Sequence, residues 1–128
     1  MRHLLHIDIP ASFRRGKSVE QFLGRSPLDA GYIRHVELRP SNGLIEIWCY
    51  DVEDIGGEDY LDLYDFPDLE PDGPWVPVAA FPDPQAAVEY ASASLATDPA
   101  RWISLGVAQS EYLDYIRAGR PSRWPVAA

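Results

Sequence analysis

Apolar and polar residues alternate along the first two thirds of the chain, and in the last third the period lengthens. Leu5, Ile7 and Ile9 alternate with His6 and Asp8, which predicts a short strand over Leu4 to Ile9 ended by Pro10. Ser18-Val-Glu-Gln21 has the form of a capping box. Val19, Phe22 and Leu23 then make one apolar stripe, and Gly24 would close a helix of about two turns. Arg34 to Arg39 reads as a strand. Asn42-Gly43 supplies the positive φ angles of a tight hairpin, and Leu44 to Val52 is the strongest strand in the chain. Asp54-Ile-Gly-Gly57 marks a second turn, and Tyr60 to Phe66 alternates as a further strand, completing a three-strand antiparallel meander. Asp65 to Pro77 is a Pro-, Asp- and Gly-rich loop with Phe66, Leu69 and Trp75 as apolar anchors. Val76 to Phe81 adds a short strand that Pro77 confines to a sheet edge.

Helical signals follow. Asp83-Pro84 is an N-cap followed by proline, with Ala87, Val88, Tyr90, Ala91 and Leu95 on the buried side through Ala96. Asp98-Pro99 repeats that start for a short helix through Trp102 and Ile103 to Gly106. Ser110 to Ala118 forms another helix, with Tyr112, Leu113 and Ile116 inward and Gly119 at its end. Strands mostly first and helices mostly last define an α+β domain: an antiparallel β-sheet of three to five strands, with three or four helices, mostly C-terminal, packed on one face. The 128 residues fit one domain over 1–128, with 120–128 as a loose tail that Trp124 could pin.

Composition narrows the setting. Apolar residues make up 46% and charged residues 24%, which is globular rather than disordered. The single cysteine, Cys49, excludes an internal disulfide and points to a reducing compartment. His6 and Asp8 interrupt the first apolar stretch, so it is read as neither leader nor anchor, and the expected location is the cytoplasm.

Charge changes the picture more. The net charge is −9, and residues 41–99 carry fourteen acidic side chains with no Lys or Arg. Ten carboxylates fall between Asp51 and Asp72. Such a field repels nucleic acid and anionic lipid and attracts a basic protein.

Several motifs suggest chemistry, each with a plainer explanation. Ala11 to Ser18 has the spacing of a phosphate loop, with Gly16-Lys17-Ser18 at its end, but Phe13, Arg14 and Arg15 crowd it. A basic surface loop fits better. His3, His6, Asp8 and His35 could be gathered around a metal, or simply decorate an edge strand. Cys49 sits mid-strand in phase with Ile45 and Ile47, a core position rather than a nucleophile's. The Asp51–Asp59 turn lacks the alternate-position ligands of a calcium loop. A carboxylate pair near the acidic loop would suit a small hydrolase-type enzyme, although carboxylates this dense fall into pairs by chance. No cofactor and no metal are expected.

The most informative feature is a face. Strand parity puts Ile45, Ile47, Cys49, Leu61 and Leu63 in the core. It puts Trp48, Tyr50, Tyr60 and Tyr64 on the opposite side with Glu46 and Asp62. Aromatics among carboxylates suit an Arg- or Lys-rich partner, unless a helix covers them as ordinary core. Trp48, Tyr50, Tyr60, Asp62 and Tyr64, with Asp51, Glu53, Asp54, Glu58 and Asp59 from the adjoining turn, are the expected partner-binding residues. In size, acidity and lack of a catalytic signature the chain is similar to bacterial immunity proteins. That resemblance implies stoichiometric inhibition of a basic toxin or nuclease-like protein and assigns no residue of its own. A homo-oligomer built through the aromatic face is the further alternative.

Overall fold

The computed structural model describes residues 2–70 and 73–126. Its elements run α1 (Asp8–Arg14), β1 (Val19–Arg25), β2 (Tyr32–Ser41), β3 (Leu44–Glu53), a 3-10 turn (Leu63–Asp65), β4 (Ala79–Phe81), α2 (Pro84–Leu95), β5 (Ile103–Ser104) and α3 (Ala108–Arg117). The strands form one antiparallel sheet in the order β4-β3-β2-β1-β5, so the α+β class read from the sequence holds. Its centre is the β2–β3 hairpin. Asn42 and Gly43 take φ of 51° and 80°, as the two-residue turn demands, and pairing runs unbroken from Ser41↔Leu44 to Tyr32↔Glu53.

Four expected elements differ, each for an identifiable reason. Leu4 to Ile9 is not a strand, because Ile9 and Phe13, four residues apart, bury one side of α1, and Pro10 is tolerated in its first turn. Val19 to Leu23 is a strand rather than a helix. It lies inside the sheet with both faces covered, so its burial does not alternate and imitates a helical stripe. Tyr60 to Phe66 forms no strand: Asp62 accepts from the Tyr64 amide and folds the segment into a 3-10 turn that buries Leu63 and Phe66. After Asp98-Pro99 the chain makes a turn, in which Asp98 Oδ1 accepts from the Ala100 amide, and enters β5 beside β1 instead of a helix. The Asp83 cap and Pro84 start of α2 are as expected, and β4 is an edge strand.

The helices divide between the two faces of the sheet rather than sharing one. Ile9 and Phe13 of α1 and Ala87, Val88 and Ala91 of α2 pack with Val19, Val36, Leu38, Ile45 and Ile47. Tyr112 and Tyr115 of α3 pack on the other side with Phe22, Ile33, Val52 and Ile103, joined by Leu63 and Phe66. Leu61 and Leu63 therefore belong to a different core from Ile45 and Ile47.

Trp124 is fixed between Phe22 and Tyr115 and donates its Nε1 to Glu111 at 3.0 Å. It seats where β1 bulges at Gly24, whose φ is 82° and where an added Cβ would stand 2.6 Å from the Trp124 Cβ. Residues 127–128 of the expected loose tail, and Asp72 of the acidic run, lie outside the described residues. Among the described residues no helix is long and apolar enough to cross a membrane.

Candidate functional site

The face under α3 is only partly roofed. Register places His35 opposite Tyr50, Glu37 opposite Trp48 and Arg39 opposite Glu46, all on that face. Glu20 of β1 stands opposite Glu37, and Tyr64 leans over from the 3-10 turn. The result is an aromatic run with a charged margin. Trp48 lies parallel to Tyr50 (centroids 6.3 Å apart), and Tyr50 is parallel to His35 (4.7 Å). Tyr64 meets both Tyr50 and His35 edge-on, at 5.2 and 4.8 Å.

The charges in this cluster are mutually engaged. The Arg39 guanidinium lies 4.4 Å from the Trp48 ring centroid and donates to both Glu37 oxygens and to the Tyr50 hydroxyl. Tyr50 in turn donates to Glu37 at 3.1 Å. Burial pushes the Glu37 carboxyl up, but Arg39, Ser18 and Tyr50 together hold it below the ordinary range. Glu20 is raised by burial, against the amides of Ala108 and Gly106 and the Tyr64 hydroxyl, all of which donate to it. Burial and the neighbouring carboxylates push the Tyr50 and Tyr64 hydroxyls up. His35 is fully buried, neither ring nitrogen has a hydrogen-bonding partner, and burial lowers it to about 4.

Of the residues expected to bind a partner, the fold brings three together: Trp48, Tyr50 and Tyr64. Tyr60 lies apart, edge-on to Phe66, with its hydroxyl on Asp65. Asp51 belongs to the opposite sheet face, where Arg34 grips both its oxygens and Ser26 donates to it. Asp54 accepts from Tyr112 at 2.6 Å and from Arg120. Glu58 pairs with Arg117 on the surface, and Asp62 is the cap of the 3-10 turn. Glu53 is half-buried and Asp59 exposed. His35, Glu37, Arg39 and Glu20 are the site residues that sequence parity had not assembled. The Asn42-Gly43 turn carried the signal for the first three, because a two-residue turn fixes which β2 residue faces which β3 residue.

The other sequence motifs fall elsewhere. The phosphate-loop spacing joins a helix to a strand, the reverse of the order it needs. The amides of Gly16 and Lys17 donate to Phe13 and Ser12 carbonyls at the end of α1, so they are not turned toward an anion. His3 bonds to Glu111, His6 is exposed near α1 and His35 is enclosed by the sheet, so the four candidate metal ligands do not converge. Among the described residues no three His, Cys, Asp or Glu form a metal-binding group. Cys49 packs against the α1–α2 core, and burial pushes its thiol up to about 11, which disfavours the thiolate. A groove of about 400 Å3 lies between α1 and α2, lined by His6, Ile9, Arg14, Asp83 and Val88.

No protein-family model matches the chain, and comparisons with curated proteins and with solved structures return no match.

Proposed function

We propose that the chain is a protein-binding module for a basic partner, an immunity-type stoichiometric inhibitor of a toxin or nuclease-like protein, and that the face around Trp48 is its contact. The observation that carries this is the Arg39–Trp48–Glu37–Tyr50 arrangement. Arg39 shows within the chain how this face holds a guanidinium, by a ring, a carboxylate and a hydroxyl, and a partner's arginine would compete with Arg39 for them. Glu46, at the Trp48 Nε1, and the lysine- and arginine-free segment 41–99 extend the negative field around it.

The products of neighbouring genes are the natural candidates, tested by co-expression and by binding kinetics at low and high salt. Association should slow as salt rises, and Glu46→Lys should slow it at fixed salt. Trp48→Ala should accelerate dissociation by roughly 30-fold, corresponding to about 2 kcal/mol at a hot spot. Kinetics indifferent to salt and to both substitutions in a folded protein would sink the proposal.

A further inference from the structure

β4 ends the sheet. Its inner side pairs with Ile45–Ile47, and the Val78 amide donates to the Ile47 carbonyl, while among the described residues no strand lies on its outer side. The approach to it is unusually apolar for a surface. Trp75 is 76% exposed, Val76 69% and Val78 49%, and residues 73–82 hold no charged side chain. Sheet edges in soluble proteins are commonly guarded by lysine or an inward charge. Here the guards are shortness and the flanking Pro77 and Pro82.

Carboxylates rim this strip. Glu46 is the register partner of Ala80 and shares the Trp48 face, Asp83 follows at the α2 cap, and Glu70 precedes. A second copy of the chain would bring two such rims, and two charges of −9, together. An extended segment alternating apolar and cationic residues meets neither objection. Its apolar side chains would cover Trp75 and Val78, and its cations would reach Glu46 and Asp83.

We infer that the outer edge of β4 accepts an extended, cationic segment of the partner as a sixth strand, with Trp75, Val76 and Val78 as its apolar contact. This rests on the reading that the partner is basic, and it specifies how such a partner engages: main-chain hydrogen bonds along the edge give affinity, and side-chain alternation gives selectivity.

The test uses three synthetic probes on the whole protein. One is a peptide of alternating arginine and valine. The second is the same peptide N-methylated along the backbone edge it would present, and the third replaces arginine with glutamate. The arginine peptide should bind, with a fluorescence change that Trp75→Phe removes. N-methylation and Val78→Lys should each weaken it at least tenfold. Val78 is half exposed, so circular dichroism should show that variant folded. Equal binding of the N-methylated peptide would overturn strand addition. Binding that survives Val78→Lys but is lost in Trp48→Ala would also overturn it, while leaving the basic-partner reading intact. Equal binding of the glutamate peptide would sink the charge selectivity, and the basic-partner reading with it. Dimerisation of the unliganded protein that Val78→Lys abolishes would assign the edge to a second copy instead.

Discussion

His35 shows how one residue can carry an environment's cost. An imidazole with both nitrogens unpartnered is held neutral beneath Tyr50 and Tyr64, although Glu37 and Asp51 favour its charged form. With its folded value near 4 and an ordinary value of 6.5, the unfolded chain binds the extra proton between those limits. Stability from this group is therefore full above pH 6.5 and falls as the pH drops toward 4. The expected loss between pH 7 and pH 5 is about 2 kcal/mol. Glu20, raised, works in the other sense, losing stability as pH rises through its folded value, so a single pH curve mixes the two. His35→Phe separates them. It should remove the decline between pH 7 and 5 in urea titrations and stabilise the protein at pH 7, because it fills the stack without burying bare nitrogens. A variant with an unchanged decline would show that another group carries it.

At the scale of elements, two glycines do different work. Gly43, at φ 80°, would place an added Cβ in open space, so Gly43→Ala should cost only the left-handed backbone penalty, about 1–2 kcal/mol. Gly24 has a similar φ but faces the Trp124 Cβ, so Gly24→Ala should cost more, and the excess should shrink in a Trp124→Gly background. A double-mutant cycle by thermal unfolding measures that coupling; additivity would place the tail elsewhere. The same contrast explains what the sequence disclosed. Asn42-Gly43 and Asp83-Pro84 are local signals, and the hairpin and α2 follow from them. β1 was misread because its partners on both sides, β2 and β5, come later in the chain and bury it twice over. Tyr60 to Phe66 was misread because alternation alone cannot supply a neighbouring strand, and β3 already pairs with β2 and β4. The aromatic face was legible for Trp48 and Tyr50, which lie on a correctly placed strand. It failed for Tyr60, whose strand does not exist.

Across the whole molecule, the basic ends fold back over the acidic middle. Arg34 pairs with Asp51, Arg120 with Asp54 and Arg117 with Glu58, so the negative segment in the sequence is partly neutralised in space. Asp54, expected from sequence to be a partner-binding residue of the turn, is nearly buried under Tyr112 and Arg120. Asp54→Lys should thus destabilise the fold by about 2–3 kcal/mol, as losing the hydrogen bonds of a largely buried carboxylate does. Glu58→Lys, on an exposed pair, should stay within about 1 kcal/mol. Denaturant midpoints decide this, and equal effects would contradict the burial of Asp54.

Glu20 has a consequence in time. Its buried carboxylate accepts from the amides of Gly106 and Ala108 at the start of α3, more than eighty residues further along the chain. On a ribosome the β1–β2–β3 meander can emerge and pair long before those amides exist. Until they arrive, the nascent sheet carries a carboxylate whose other donor, the Tyr64 hydroxyl, engages one of its two oxygens, and water must keep access to that end of β1. That end of β1 has its full set of donors only once α3 has docked, so its completion belongs to the last part of the chain to emerge.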